Sequence, residues 1–347
     1  MEWVRGETIG HGSFAKVDLA ILKSGDGLMA VKSVPDYNSE SLKHEREVLG
    51  LLANSENVIR CFGDSFSCEN GELVYNVFLE HAAGGSVYDR VKRVGGGRLS
   101  EAEVRSFTRS VLSGLREVHA AGFVHCDVKL QNILLCSSNS ANSETGVVAK
   151  IADFGLAKRR SRNRVAGNRD GFRGTPLYMA PETVVYGEFE SPADIWAVGC
   201  AVVEMLTGAP AWKNESNVAS LFLKISQQSP ELPENLSSEI RDFLEKCFIR
   251  DAAGRWTAEM LLDHQFIAAG APEKAPVSPR CPFDFPEFVT PTPISQSGFD
   301  SWIEKDLDCT IFDLRESPEI SSPARFRQLA TDQVPNWVFS NSWLIVR

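Results

Sequence analysis

The sequence predicts an α+β protein of two lobes: a small β-rich N-terminal lobe with one helix, and a larger, mainly helical C-terminal lobe followed by a proline-rich tail. Three observations predict this fold class. Residues 3–35 alternate apolar runs with glycine turns, which is typical of strands joined by hairpins. Beyond residue 99, apolar residues recur at helical spacing. From about residue 268, closely spaced prolines indicate an extended segment. We therefore expect lobes at about 3–80 and 81–267 and a tail at 268–347.

The composition is typical of a globular chain and argues against several classes of function. Of the 347 residues, 43% are hydrophobic and 24% are charged. The net charge of −10 argues against a general nucleic-acid or anionic-membrane binder. No run of about 18 apolar residues is present, and the N-terminus lacks the apolar core of a signal peptide. We expect no nucleic-acid partner, no membrane partner and a cytoplasmic location, with the nucleus as the second option.

The eight cysteines show neither CxxC nor Cys/His spacing. Several of them lie in apolar segments with a helical or strand-like pattern. This distribution favours reduced cysteines in the core of an intracellular protein over a disulfide framework or a zinc site.

The first two strands enclose a glycine pair, Gly10 and Gly12, in the sequence Gly-His-Gly-Ser-Phe-Ala-Lys-Val. Glycines in a strand-turn-strand let the backbone approach phosphates, because no Cβ intervenes. By itself, such a pair more often marks only a tight turn. Lys32 follows about 20 residues later, at the end of the third strand, and this spacing brings it under the loop. The combination predicts a phosphate site.

Residues 39–52 are predicted to form the helix of the small lobe, with an apolar stripe and with Ser41 as a candidate N-cap. Glu45 lies three and four residues before two members of that stripe, a register that points its carboxylate at Lys32. Glu47 is the alternative. Both glutamates can instead be solvent-facing acids on a surface helix.

The remaining elements follow from periodicity. Ser100 and Glu103 form a capping box at the start of a long amphipathic helix. Further strands are expected at 58–62, 73–79 and 147–152. Helices are expected at 99–121, 191–206, 216–227, 237–247 and 257–263. The second of these is almost entirely apolar, which predicts a central, buried helix.

The octapeptide His-Cys-Asp-Val-Lys-Leu-Gln-Asn at residues 125–132 places an acid, a lysine and an amide between two apolar runs. A loop that holds Asp127, Lys129 and Asn132 can serve phosphoryl transfer. Asp127 would accept the proton of an attacking hydroxyl, Lys129 would neutralise charge on the γ-phosphate, and Asn132 would hold Mg²⁺. The alternative is a polar connector with three unrelated side chains.

A second acidic turn, Asp153-Phe154-Gly155, ends the strand expected at 147–152 and follows a Ser/Asn-rich loop at 137–146. Alone, this tripeptide is a common turn. Its position about 20 residues after Asn132, at the end of a strand, indicates that Asp153 is a further Mg²⁺ ligand.

Taken in order, these motifs and three later ones resemble a eukaryotic protein kinase over residues 3–267. The residues that carry the resemblance are Gly10, Gly12, Lys32, Glu45, Asp127, Lys129, Asn132, Asp153-Phe154-Gly155, Ala180-Pro181-Glu182, Asp194 and Arg255. The resemblance implies the bilobal protein-kinase fold with ATP and Mg²⁺ as cofactors. It implies metal ligation by Asn132 and Asp153, and catalytic roles for Lys32, Glu45, Asp127, Lys129, Asn132 and Thr175.

The same resemblance implies an ATP site between the lobes. Its residues would be Ile9, Gly10, His11, Gly12, Ser13, Phe14, Ala15, Lys16, Val17, Ala30, Lys32, Leu79, Glu80, Ala82 and Leu134. Leu79 would be the gatekeeper, and backbone groups of Glu80 and Ala82 would bond the adenine edge. The chain departs from the pattern at Ala15, where the family has a third glycine.

The arginine-rich residues 156–173 lie between Asp153-Phe154-Gly155 and Ala180-Pro181-Glu182, and the resemblance makes them an activation segment; a nuclear-localisation or nucleic-acid patch is the alternative. Phe154 would pack beneath the helix that carries Glu45. The other implied contacts are those of Thr175 with Asp127 and Lys129, of Asp194 with the backbone of the catalytic loop, and of Arg255 with Glu182.

Lys129 and the Gly-Thr-Pro sequence at 174–176 resemble the serine/threonine branch of the family. Residues 2–7, 174–182 and 194–200, together with the Trp-rich C-terminus, resemble the short plant MAP kinase kinase kinases of the MEKK-like group. That narrower resemblance implies MAP kinase kinases as substrates, phosphorylated on activation-loop Ser/Thr, in stress or hormone signalling.

Cys126 stands where most kinases carry an arginine that pairs with a phosphate on the activation segment. Residues 156–174 offer only Ser161 as a phosphate acceptor. We therefore expect activity that does not depend on phosphorylation of this segment, and a loss of activity on phosphatase treatment would contradict that expectation. The Cys126 thiol is either oxidation-sensitive or buried and inert.

Two alternatives to an active protein kinase differ in class. A pseudokinase scaffold would bind nucleotide and cascade partners without phosphotransfer, but such proteins have usually lost one of Lys32, Asp127 or Asp153, and all three are present. A kinase for non-protein hydroxyls is disfavoured, because the Gly-Thr-Pro and Ala-Pro-Glu sequences build a peptide platform in the family.

The tail carries five Ser/Thr-Pro pairs, the minimal site of proline-directed kinases, at Ser278, Thr290, Thr292, Ser317 and Ser322. Its last residues, 337–347, are dense in apolar side chains, unlike a freely solvated tail. Either such kinases use these pairs as regulatory sites, or the pairs occur by composition in a tail rich in proline and serine. We expect the end of the tail to dock on the kinase body or on a partner.

Overall fold

The computed structural model describes residues 2–11, 15–23, 27–137, 146–160, 173–213, 217–269, 339–340 and 343–344. Its β-sheet lobe and helical lobe confirm the predicted fold class. Gly12, Ser13, Phe14, Ser161, most of the arginine-rich segment and the five Ser/Thr-Pro pairs lie outside the described residues.

The N-terminal lobe is one antiparallel sheet with a helix packed on it. The strands are β1 Trp3–His11, β2 Lys16–Leu22, β3 Leu28–Pro35, β4 Cys61–Glu69 and β5 Glu72–Glu80, in the order β1-β2-β3-β5-β4. The helix, α1, spans Glu40–Leu51 and lies between β3 and β4 in the chain.

The register of this sheet sorts side chains between its two faces. Val17 on β2 and Val77 on β5 both lie opposite Lys32 on β3, so the three share the inner face. Asp18 and Ser33 follow Val17 and Lys32 in the chain and point to the outer face, because successive strand residues alternate.

The outer face carries a buried polar network centred on Arg5 of β1. Its guanidinium donates to Asp18 at 2.8 Å and to Ser33 at 3.0 Å. It also donates to Asn76 on β5 at 2.9 Å and to Glu69 on β4 at 2.6 Å. Asp18 and Asn76 are fully buried, and burying their polar side chains without hydrogen bonds would lower the stability of the fold. The bonds from Arg5 remove that cost. One side chain therefore contacts all of the other four strands.

The C-terminal lobe packs helices around a nearly apolar central helix. The helices are α2 Val87–Arg93, α3 Glu101–Ala120, α4 Pro181–Tyr186, α5 Ser191–Thr207, α6 Val218–Gln227, α7 Ser238–Cys247, α8 Ala258–Leu262 and α9 Gln265–Ala268. Four short strands complete it: β6 Phe123–Val124, β7 Ile133–Ser137, β8 Val147–Ile151 and β9 Lys158–Arg159. Trp196 of α5 is fully buried, which confirms the prediction of a central helix.

Two local predictions are wrong. The strand expected at 58–62 begins instead at Cys61; Val58 packs in the main core, and its backbone forms an isolated bridge with Ile151. Ser41 is not the cap of α1, because the helix already begins at Glu40. The capping box of Ser100 and Glu103 is confirmed at the start of α3.

Six cysteines fall in the described part of the chain, and all six are free thiols. Cys136, Cys200 and Cys247 are buried, as predicted for core residues, whereas Cys68 is exposed on β4. Within the described ranges, no helix has the length and apolar character needed to cross a membrane.

A two-residue strand pair lies near the C-terminus. Strand β10, Phe339–Ser340, pairs antiparallel with β11, Trp343–Leu344.

Candidate active site

Lys32 bridges two carboxylates at the inner face of the N-terminal sheet. Its ammonium lies 2.6 Å from Glu45 on α1 and 2.9 Å from Asp153, which follows β8. Glu45 is buried, whereas Glu47 is exposed on the other side of α1. The structure thus selects the glutamate that the apolar stripe favoured and brings together three of the predicted site residues.

The Lys32 ammonium and the Asp153 carboxylate each stabilise the charged form of the other. Burial by itself lowers the pKa of Lys32, but the carboxylates of Glu45 and Asp153 outweigh it and raise that pKa. Burial raises the pKa of Asp153, yet the Lys32 ammonium prevails and lowers it to about 2. Lys32 is therefore an ammonium and Asp153 a carboxylate at neutral pH.

In the catalytic loop, residues 125–132, Asp127 and Lys129 form one hydrogen-bonded triangle with Thr175. Lys129 donates to Asp127 at 2.7 Å and to the Thr175 hydroxyl at 3.0 Å. That hydroxyl donates to the other oxygen of Asp127 at 2.7 Å. Asn132 donates from its amide nitrogen to the Asp127 carboxylate at 3.1 Å and to the Asp127 carbonyl at 2.9 Å. The contacts implied for Thr175 are therefore present.

Asp194, at the start of α5, holds the backbone that precedes Asp127. Its buried carboxylate accepts the N–H groups of His125 at 2.9 Å and of Cys126 at 3.0 Å. His119 on α3 contacts the same carboxylate at 2.8 Å. Burial raises the pKa of Asp194, but the hydrogen bonds from His119 and from the His125 N–H lower it below the ordinary value.

Two residues of the site adopt left-handed backbone conformations that non-glycine residues rarely take. The φ angle of Cys126 is +68° and that of Asp153 is +66°. Asp194 bonds the N–H of Cys126, and Lys32 bonds the side chain of Asp153. Such strained positions cluster at functional sites, where the surroundings hold them.

The described residues form part of the wall of the predicted ATP site. Ala30 on β3 lies opposite Leu79 on β5, and Val17, Ala82 and Leu134 pack against the main core. The buried residues at this wall include Ala15, Ala30 and Leu79, whereas Ile9 and His11 are exposed on β1.

Two details of that wall differ from expectation. The Lys16 ammonium pairs with Asp18 at 2.9 Å on the outer face of the sheet, because strand alternation turns it away from Lys32. The N–H of Glu80 donates to the Arg60 carbonyl at 2.8 Å, so only the Glu80 carbonyl can serve an adenine edge. The pairing of the Glu80 carboxylate with Lys150 at 2.8 Å was not predicted.

Arg255 and Glu182 form the predicted ion pair between the end of the activation segment and the last helices. The two guanidinium nitrogens lie 2.6 and 3.0 Å from the two carboxylate oxygens, a bidentate geometry. The Arg255 side chain is fully buried and also donates to the Pro192 carbonyl at 2.7 Å.

Helix α1 makes three contacts with the residues after Asp153 that the sequence did not reveal. The Phe154 N–H donates to Glu45 at 3.2 Å. The Ser41 hydroxyl donates to the Gly155 carbonyl at 3.1 Å, and the His44 Nε2 donates to the Ala157 carbonyl at 2.8 Å. Two of the three partners are main-chain carbonyls, which leave no signal in the sequence.

Comparison with known proteins decides the family. Residues 3–267 match the protein kinase domain. The chain belongs to the protein kinase family. It is 42% identical to mitogen-activated protein kinase kinase kinase 20 of Arabidopsis thaliana over 370 aligned positions, which cover 100% of both chains. It is 42% identical to kinase kinase kinase 17 of the same plant, over 80% of this chain and 72% of that protein.

A more distant relative lies outside plants. The yeast serine/threonine-protein kinase BCK1/SLK1/SSP31 of Saccharomyces cerevisiae is 36% identical over 76% of this chain and 18% of its own length. Together with the kinase domain, these relatives make the chain a serine/threonine protein kinase.

A protein kinase domain implies ATP and a divalent metal, and the residues present fit both. Asn132 commits its amide nitrogen to Asp127, which leaves its oxygen for a metal. Asp153 is 47% exposed and uses only one oxygen for Lys32. Hard oxygen ligands suit Mg²⁺, which is commonly held by one or two protein groups and by substrate phosphates. No cluster of three or more metal-ligating acids, cysteines or histidines occurs among the described residues.

Proposed function

We propose that this kinase transfers the γ-phosphoryl group of Mg·ATP to activation-loop serine and threonine residues of MAP kinase kinases, within stress or hormone signalling. The observation that carries the proposal is the similarity to a protein named as a MAP kinase kinase kinase over the whole length of both chains, tail included. The hydrogen-bonded triangle of Asp127, Lys129 and Thr175 supports the chemistry.

In the proposed reaction, Asp127 orients the substrate hydroxyl and accepts its proton. Thr175 and Lys129 fix the carboxylate of Asp127 in one orientation, and the Lys129 ammonium also offsets negative charge on the transferred group. These groups are held before substrate arrives, so little reorganisation is needed in the transition state.

On the opposite side of the cleft, Lys32 positions the phosphates of ATP, and Glu45 fixes the ammonium of Lys32. Asn132 and Asp153 would hold Mg²⁺, which neutralises charge on the phosphates when bound. Leu79, Ala30, Val17 and Leu134 would enclose the adenine, with the Glu80 carbonyl and the Ala82 backbone at its edge. The remaining proposed nucleotide contacts come from residues 9–15.

The proposal includes activity without a phosphate on the activation segment. Cys126 provides no cation where the family pattern has an arginine, and its thiol donates to the Val124 carbonyl at 3.5 Å. The cluster of Lys32, Glu45 and Asp153 is assembled in the unmodified chain.

A pseudokinase scaffold stays the second candidate. The missing third glycine at Ala15 and the change at Cys126 are the features that favour it. The described geometry favours it less, because Lys32 and Asp127 keep the partners that phosphotransfer requires.

The domain organisation is part of the proposal: a kinase domain at 3–267 and a regulatory or docking tail at 268–347, with proline-directed kinases acting on the tail. A cytoplasmic location, with the nucleus as the second option, and the absence of nucleic-acid and membrane partners stay predictions.

The proposal is tested by incubating the purified chain and Mg·ATP with a panel of kinase-dead MAP kinase kinases. We expect phosphate on activation-loop Ser/Thr of at least one member. The matched control is that member with its activation-loop acceptors changed to alanine, which should take up no phosphate. Incorporation into no member, or equal incorporation into the alanine control, would contradict the proposed substrate class.

A further inference from the structure

Three residues on one face of α1 contact the main chain that follows Asp153. Ser41, His44 and Glu45 are spaced i, i+3 and i+4, so they project from the same side of the helix. Their partners are the Gly155 carbonyl at 3.1 Å, the Ala157 carbonyl at 2.8 Å and the Phe154 N–H at 3.2 Å. The helix is thus hydrogen-bonded to three of four consecutive residues.

Close packing accompanies these bonds. A Cβ on Gly155 would lie 2.8 Å from the Ser41 hydroxyl oxygen, which is too short for any larger residue without movement. Phe154 and Ala157 are buried, and the Ala157 N–H donates to the Phe154 carbonyl at 3.0 Å. The turn at 154–157 is therefore a fixed surface against which α1 is placed.

The far side of this turn is anchored to the catalytic loop. Strand β9, directly after Ala157, pairs with β6, and the Arg160 N–H donates to the Gly122 carbonyl at 2.8 Å. Strand β6 ends at Val124, immediately before His125. The turn thus connects α1 to the loop that carries Asp127.

We infer that Ser41 and His44 are positioning residues for phosphoryl transfer. They act through Glu45: their bonds to the Gly155 and Ala157 carbonyls hold α1 where the Glu45 carboxylate meets the Lys32 ammonium. This inference rests on the proposed kinase activity and names residues that neither the motifs nor the relatives' names assign.

The acceptors give the arrangement a regulatory consequence. Both are main-chain carbonyls within 155–157, so the bonds require no modified side chain on the activation segment. The helix is therefore held in its working position in the unphosphorylated chain, which supplies a physical basis for activity despite Cys126.

The hydrogen bonds of His44 and Ser41 differ in how strongly they hold α1. The His44 bond is shorter and partly shielded from water, whereas the Ser41 bond is exposed. A carbonyl only accepts, so Nε2 of His44 carries the proton. Because a hydrogen bond shielded from water contributes more, His44 is the dominant member of the pair.

The test compares His44→Gln with His44→Leu in full-length, phosphatase-treated protein. The glutamine amide can still donate to the Ala157 carbonyl, whereas leucine fills a similar volume without a donor. We expect kcat to fall about tenfold in His44→Leu and to stay within about twofold of wild type in His44→Gln. Ser41→Ala should lower kcat less than His44→Leu, and Glu47→Gln, on the exposed side of α1, should leave it unchanged.

Hydrogen–deuterium exchange of the α1 amides gives a readout independent of activity. Exchange should accelerate over residues 40–51 in His44→Leu and not in His44→Gln, with thermal unfolding temperatures alike. Equal kcat and equal exchange in the two variants would overturn the inference. If wild type transferred no phosphate, the proposed function would fail, while the exchange comparison would still decide the role of His44.

Discussion

Cys126 is the residue at which the chain departs most from the kinase pattern, and its surroundings decide what the thiol can do. Sequence alone left two options, an oxidation-sensitive thiol and an inert one. Burial raises the pKa of the Cys126 thiol well above the ordinary value, and the nearby Asp194 carboxylate adds to that rise. A raised pKa means that the neutral thiol predominates at and above neutral pH, and the neutral form is a poor nucleophile.

We therefore expect Cys126 to resist alkylation in the folded protein. Native protein treated with iodoacetamide at about pH 8 should be modified at the exposed Cys68 and not at Cys126, as read by peptide mass spectrometry. Unfolding in urea should make both residues reactive, which serves as the control. Modification of native Cys126 as fast as Cys68 would show an accessible thiolate and contradict the account.

At the scale of elements, the N-terminal sheet carries the proposed nucleotide residues on one face and the Arg5 network on the other. Two buried polar residues of the network directly follow residues of the inner face: Asp18 follows Val17, and Ser33 follows Lys32. Because a one-residue slip would move every side chain to the other face, the network holds the strands in register. From the outer face of the sheet, Arg5 thereby helps to fix the position of Lys32 on the inner face.

Replacing Arg5 by methionine tests this support. The change leaves the buried Asp18 with Thr8 at 2.6 Å and Lys16 at 2.9 Å but without its guanidinium partner. We expect the free energy of unfolding to fall by about 2 kcal/mol, below the range for a fully isolated buried charge because Lys16 remains. Urea denaturation measures this change.

The matched control is Lys23→Met, which removes an exposed ion pair with Glu2 at 3.3 Å, just beyond the paired ends of β1 and β2. Exposed pairs contribute about 0–1 kcal/mol, so this variant should be close to wild type. Equal losses of unfolding free energy in the two variants would show that burial does not increase the contribution of the Arg5 network to stability.

Sequence reasoning succeeded where a side chain's role follows from its spacing within one element. Glu45 was favoured over Glu47 by the apolar stripe of α1, and Lys32 by its distance from the glycine pair. Sequence reasoning failed where a residue's partner lies on another element of the fold. Val58 suggested a strand because it is apolar, but it lies before β4, in the main core, and bridges Ile151 of β8.

The main-chain contacts of Ser41 and His44 were also beyond prediction. Ser41 was assigned to a cap from its residue type, and its hydroxyl instead reaches a carbonyl 114 positions away. His44 gave no signal, because any residue supplies the carbonyl that it bonds. The partly exposed carboxylate of Glu80 likewise meets Lys150 only because the ends of β5 and β8 come together in the folded chain.

At the scale of the whole molecule, the two lobes are joined by more than the chain that links them. The loop before β4 is hydrogen-bonded to β8: the Ile59 N–H donates to the Ile151 carbonyl at 2.8 Å, and the Ile151 N–H donates to the Asn57 carbonyl at 2.9 Å. Helix α3 approaches the same loop so closely that a Cβ on Gly114 would lie 2.8 Å from the Asn57 oxygen. This junction fixes Asp153, two residues beyond Ile151, relative to the sheet that carries Lys32.

The central claim is that phosphoryl transfer takes place between these lobes, with Lys32 on one side and Asp127 on the other. The direct measurement is the rate of γ-phosphate transfer from Mg·ATP by wild type, Lys32→Met and Asp127→Asn, with circular dichroism as the check on folding. We expect each variant to fold and to lose at least about a hundredfold in rate, since each removes a group needed in the transition state. Folded variants that transfer phosphate at the wild-type rate would contradict the account.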